Sequence, residues 1–108
     1  MIDPTITDVL LAHRFLQSRV RHTPTERSGP LSDLLGEEVY LKMENQQIAG
    51  SFKLRGALNK MFSLSPEEAG KGVVTPSSGN HAQGIAMAAR MLQVKAMICV
   101  PGVCPETK

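Results

Sequence analysis

The chain has 108 residues, 42% of them hydrophobic and 20% charged, which suffices for one modest core and is too little for a two-domain architecture. Its net charge is +2, and one Tyr, three Phe and no Trp cannot interleave with basic residues as single-stranded nucleic acid requires, so no nucleic-acid partner is expected. Asp3 and Asp8 precede any long apolar run and no stretch approaches the roughly 18 apolar residues of a membrane span, so no membrane contact and a cytoplasmic location are expected.

The first element is a helix over residues 7–20, capped by Thr7, with Val9, Ala12 and Leu16 on one side and Leu11 and Phe15 beside them. His13 and His22 lack a nearby carboxylate or Cys and are assigned no role. Pro24 and the Ser28, Gly29, Pro30 run break the chain. A short turn over residues 31–35 ends at Gly36, and Val39, Tyr40 and Leu41 read as a buried strand. Ser51 is placed to cap the next helix, in which Leu54, Ala57, Leu58 and Met61 form a core stripe.

Ser65 and Glu68 stand at capping-box spacing with Pro66 at the first helical position, and Gly70 and Gly72 close that short turn. Val73, Val74 and Thr75 read as a strand. A helix follows in which Ala82, Ile85, Ala86, Ala89 and Leu92 share a face, and residues 95–100 form a third strand. Strands alternating with helices predict an α/β fold, an open parallel sheet with flanking helices joined by right-handed crossovers. Cys99 and Cys104 are too far apart for C-x-x-C and have no histidine pair, so they read as reduced structural thiols, with no metal site.

Two stretches depart from ordinary helix design. In AGSFKLRGA, residues 49–57, Lys53 sits in the first helical turn with Arg55 just behind it. The positive end of the helix dipole and a neighbouring cation both disfavour a protonated amine. A neutral lysine amine attacks carbonyls and is the group that engages pyridoxal phosphate. Gly50 and Gly56 on either side would let backbone or a cofactor approach closely. The same pattern also describes a plain surface lysine.

In SSGNHAQG, residues 77–84, a strand end meets a helix start. Backbone N–H groups there favour an anion such as a carboxylate, and Ser77, Ser78, Gly79 and Asn80 add donors and room. These residue types equally suit an ordinary N-cap. The spacing matches neither a phosphate loop nor G-x-G-x-x-G, so no nucleotide site is expected.

Together, LKMENQQIAGSFKLRGA and, some twenty residues later, GVVTPSSGNHAQGIAMAAR resemble the N-terminal part of the fold-type II pyridoxal phosphate enzymes, with tryptophan synthase β-like architecture, and within them the threonine/serine dehydratase branch that includes serine racemases. The resemblance runs from TPTERSGPLSDLLG to VPGVCPETK. Cysteine synthases have threonine where this chain has His81, and threonine synthases tend to have an acidic residue where it has Leu54.

The resemblance implies pyridoxal 5'-phosphate as cofactor. Lys53 matches the lysine that holds it and later removes the substrate α-proton, Phe52 the aromatic beside the ring, and Asn80 the residue bonded to the cofactor 3-oxygen. Ser77, Ser78, Gly79, Asn80 and His81 match the loop that holds the amino acid substrate, and Ser78 also matches the serine acting on its opposite face in racemases.

The implied reaction is α,β-elimination of L-threonine or L-serine to a 2-oxo acid and ammonia, by a homo-oligomer when full length. Ala49 stands where the family usually has threonine, and no two glycines are adjacent, so the glycine-rich phosphate loop is missing. Residues 1–108 therefore read as the N-terminal portion of a dehydratase catalytic region whose remainder is absent, inactive alone. The alternatives are a non-catalytic truncated module that binds a small carboxylate or a full-length relative, and, within the family, a serine racemase.

Overall fold

Two amphipathic helices, α3 (Lys53–Phe62) and α5 (Asn80–Leu92), press their apolar stripes together and make most of the core. This arrangement comes from a computed structural model that describes residues 3–103. Leu54 and Leu58 are fully buried, with Ala57 and Met61 beside them and Ile85, Ala88 and Ala89 facing them from α5. Each buried leucine contributes about 1.5–3 kcal/mol relative to exposure. The α3 stripe lies as its periodicity predicts. On α5, Ala88 is buried and Ala86 exposed, a small rotation of the expected face.

Helix α1 (Ile6–Leu16) packs on this pair through Phe15 and Leu16. Its N-cap is Thr5 and not Thr7: the Thr5 hydroxyl accepts from the Asp8 N–H while the Asp8 carboxylate accepts from the Thr5 N–H, a reciprocal capping box. The helix stops four residues short of Val20, and Val9 and Leu11 are exposed. The Phe15 ring stacks on Phe62 at 3.7 Å, with the Arg19 guanidinium 4.3 Å from the Phe15 centroid.

Strand β1 (Thr25–Arg27), not anticipated from the sequence, pairs antiparallel with β2 (Tyr40–Lys42), Thr25 opposite Lys42 and Arg27 opposite Tyr40. Between them runs α2 (Gly29–Leu35), capped by Ser28 and ended by Gly36 in the left-handed region at φ 70°. The strand expected to be buried around Tyr40 is exposed throughout and belongs to this separate pair. A 3-10 turn, Glu44–Gln46, follows β2.

Helix α4 (Pro66–Lys71) carries the predicted Ser65 and Glu68 capping box, and Gly70 lies inside it. Strand β3 (Val73–Pro76), helix α5 and strand β4 (Ala96–Cys99) then form a βαβ unit in which the strands pair in parallel, Val73 beside Ala96 and Pro76 beside Cys99. The α/β class and the parallel pairing thus follow the expectation, although β2 does not join β3 and β4. Cys99 is a free, exposed thiol, and Cys104 lies outside the described residues. The radius of gyration of 16.5 Å exceeds the roughly 13 Å of a self-contained domain this long. Apolar faces at Leu34, Leu35, Val74 and Met97 lie open to solvent. No helix among the described residues is long and apolar enough to cross a membrane.

Candidate active site

Lys53 is the first residue of α3. Phe52 takes the N-cap position without a side-chain bond, and Ser51, buried just before it, accepts the Lys53 N–H on its hydroxyl at 3.4 Å. The expected Ser51 cap is thus displaced by one residue, because Phe52 already adopts helical backbone angles. The first turn of α3 carries no acidic residue, so the orphan N–H groups and the lysine share the positive end of the helix. The Lys53 Nζ lies 4.7 Å from the Phe52 ring centroid, and both side chains are exposed.

Arg55, expected to press on Lys53, is instead committed elsewhere. Its Nε and Nη2 donate to the two carboxylate oxygens of Glu44, each at 2.8 Å. Residues two apart on a helix face different directions, so this pairing leaves Lys53 on another side of the turn. The Arg55 bonds, joined by the Thr23 hydroxyl, hold the Glu44 carboxyl down to about 2, against the opposing effect of burial.

The second stretch connects β3 to α5. The Ser77 N–H donates to the Cys99 carbonyl at 3.1 Å, extending the parallel ladder by one bond, and the Ser77 hydroxyl accepts from the Gly79 N–H at 3.4 Å. Gly79 is the N-cap of α5 and makes no side-chain cap, so the helix opens on its own backbone N–H groups. Ser77, Ser78 and Gly79 are half-buried, while Asn80 and His81 open α5 on its exposed side.

Gly84 joins the two stretches. A Cβ built on it would lie 3.1 Å from the Lys53 carbonyl carbon, 3.2 Å from the Leu54 nitrogen and 3.2 Å from the Lys53 Cβ. The missing Cβ lets α5 approach the start of α3 closely without a shift of the backbone. Asn80 stands one helical turn before Gly84, so this contact brings the N-terminal end of α5 toward the turn that bears the lysine. Gly56, expected to serve close approach, has nothing within 4 Å of its missing Cβ. The positioning role of Gly84 was legible only as a glycine inside a helix of otherwise good formers. Glu44 and Thr23 gave no local signal, because their partner is distant in sequence. Two grooves of about 320 and 330 Å³ lie along α1, and neither is lined by Lys53 or residues 77–81.

An exposed amine beside an aromatic face, on a turn approached by the helix that follows the C-terminal end of a parallel strand, is an arrangement that suits a carbonyl compound and an anion. These residues fit the ring and aldehyde end of pyridoxal phosphate, since the Lys53 amine and the Phe52 ring beside it are both exposed. The sequence matches the family described as pyridoxal-phosphate dependent enzyme over residues 16–108, and the chain belongs to that family.

It is 48% identical over 104 residues to an L-threonine ammonia-lyase of Thermotoga maritima, an alignment covering 96% of this chain and 26% of the relative. It is 43% identical over 108 residues to a serine racemase of Dictyostelium discoideum, covering all of this chain and 33% of that protein. Among solved structures, maize serine racemase superposes with a TM-score of 0.89 at 37% identity, over 98% of this chain and 32% of the other. The chain spans about a third or less of the length of these relatives.

Proposed function

We propose that this chain is the lysine-bearing portion of a cytoplasmic, homo-oligomeric amino acid lyase that eliminates water from L-threonine or L-serine and releases a 2-oxo acid and ammonia. The observation that carries this reading is the close approach of Gly84 to the Lys53 backbone, which supports an amine that works together with the strand-to-helix loop of residues 77–81. Pyridoxal phosphate, when bound, supplies the electron sink that stabilises negative charge at the substrate α-carbon.

The chain's own residues divide the remaining work. The N–H groups at the start of α5, with the Ser77 and Ser78 hydroxyls, bind and orient the substrate carboxylate, and His81 borders it. The Asn80 amide would donate to the cofactor ring oxygen, and Phe52 would flank the ring. The Lys53 Nζ accepts the α-proton and the β-hydroxyl leaves with a proton as water; the resulting enamine then takes up water and releases ammonia, leaving the 2-oxo acid. Racemisation at the same site is the second reading, favoured by the similarity to serine racemases and assigned to Ser78 moving a proton on the face opposite Lys53.

The test is to incubate the protein with pyridoxal phosphate, reduce with borohydride and map the adducts by peptide mass spectrometry. Selective modification of Lys53 over Lys60, Lys71 and Lys95 is expected. Release of 2-oxo acid and inversion of configuration are then measured with L-threonine and L-serine to separate elimination from racemisation. Modification spread evenly over the lysines would overturn the assignment for this chain.

A further inference from the structure

The turn that carries Lys53 is held from two sides. Gly84 fixes it against α5, and a polar cluster fixes it against the segment before β1. Arg55 provides the second hold through two parallel bonds to Glu44, both 2.8 Å, with a longer reach from Nη2 to the Arg21 carbonyl at 3.4 Å. Glu44, whose side chain is 14% exposed, takes a further bond from the hydroxyl of buried Thr23 at 2.6 Å. Gln47, also buried, grips the same segment: its Oε1 accepts the Arg21 N–H at 2.8 Å and its Nε2 donates to the Arg21 carbonyl at 3.0 Å. The Gln47 carbonyl accepts the Gly50 N–H at 2.8 Å, closing the left-handed turn that delivers the chain to Ser51 and Lys53.

A partly buried ion pair is a poor means of stabilising a fold, since desolvation offsets much of its attraction. Its particular property is direction. A planar guanidinium bonded through two nitrogens to both oxygens of a carboxylate fixes orientation as well as distance, which a lysine ammonium cannot do. The fork occupies the one helical turn whose first residue is the reactive amine.

We propose that the Glu44 and Arg55 fork, seated on Thr23, is a positioning device that sets the direction from which the Lys53 amine meets a carbonyl. It acts through the backbone of the first turn of α3, and neither residue touches substrate or cofactor. The inference rests on the reading of Lys53 as the cofactor-bearing lysine.

The experiment compares the unsubstituted protein with Arg55→Lys, Arg55→Met, Glu44→Gln and the double variant Glu44→Gln with Arg55→Met. Borohydride-trapped pyridoxal phosphate on Lys53 is measured relative to Lys60, Lys71 and Lys95. Lys42 is left out because its ammonium bonds the Thr23 carbonyl. In variants whose circular dichroism and α5 amide exchange are unchanged, the Lys53 preference should fall about tenfold, the scale expected for a misdirected reactive group. The double variant should lose no more than the worse single one.

Amide exchange at residues 53–56 of the cofactor-free protein is the second readout, expected to quicken in Arg55→Met and Arg55→Lys. Folded variants with undiminished Lys53 preference would overturn the proposal. If the unsubstituted protein shows no Lys53 preference, the reading of Lys53 fails separately, and unchanged exchange at residues 53–56 in both Arg55 variants would still overturn the positioning role. Should Arg55→Met not fold, Arg55→Lys, which keeps the charge and most of the side-chain length, decides the matter.

Discussion

Gly84 lies so close to the Lys53 backbone that a Cβ on it would meet the Lys53 carbonyl carbon at 3.1 Å, a contact its neighbours would have to yield to by a few tenths of an ångström. Two effects of opposite sign then compete in Gly84→Ala. Alanine gains about 1 kcal/mol of helix propensity. Forcing backbone apart in a packed interface costs about 1–3 kcal/mol, and the neighbours here are main-chain atoms that cannot swing away. Gly84→Ala is expected to lower unfolding free energy by up to about 2 kcal/mol and to reduce Lys53 modification by pyridoxal phosphate. Gly56→Ala, with open space around it, should instead stabilise by about 0.5–1 kcal/mol. Chemical denaturation of both variants checks the pair, and equal shifts in the same direction would contradict the contact.

Glu44 makes stability depend on acid pH. Its carboxyl is lowered from 4.5 to about 2 in the folded chain, chiefly by the Arg55 bonds. A depressed carboxyl contributes stability that is fully present above its unfolded value and is lost as pH falls through the folded one. The loss should therefore run between about pH 4.5 and pH 2. After allowance for solvent screening at this partly exposed pair, it should amount to on the order of 1–2 kcal/mol. Denaturation curves at several pH values for the unsubstituted protein and Glu44→Gln test this through their difference, because Asp8 and Glu68, lowered by their capping bonds, titrate in both. Parallel curves down to pH 2 would remove Glu44 from the account.

Thr5→Ala should destabilise α1 by about 1 kcal/mol, because the N–H of Asp8 loses its acceptor and the reciprocal bond loses its frame. Thr7→Ala, inside the helix, should change stability little and in the favourable direction. Amide exchange across residues 6–16 measures both. A larger effect at Thr7 would return the cap to the place that local sequence suggested.

Gly72 holds φ 85°, and a Cβ there would stand 2.7 Å from the Lys95 carbonyl oxygen, which itself accepts the Val73 N–H at 2.9 Å. Gly72→Ala should cost on the order of 1–3 kcal/mol by straining this junction between α4 and the β3–β4 pair. Thermal unfolding of the variant is the direct measurement, and an unchanged midpoint would show that the junction can relax.

Most of what is written within a few residues was legible in the sequence itself, although the Thr5 and Asp8 box at the start of α1 was passed over for Thr7. The α3 stripe of Leu54, Ala57, Leu58 and Met61, the Ser65 and Glu68 box, and the succession of β3, α5 and β4 all depend on periodicity or caps a turn or two apart. The two long motifs likewise revealed the family and singled out Lys53 and residues 77–81, because those residue types recur at short fixed spacing. The tertiary structure alone decided what depends on separation in sequence. It sent the Arg55 charge to Glu44, paired β2 with an unanticipated β1 and set Gly84 against Lys53. The physical reason is that a guanidinium, a strand edge or a missing Cβ takes its partner from whatever folding brings within a few ångströms, and a local pattern carries no record of that neighbour.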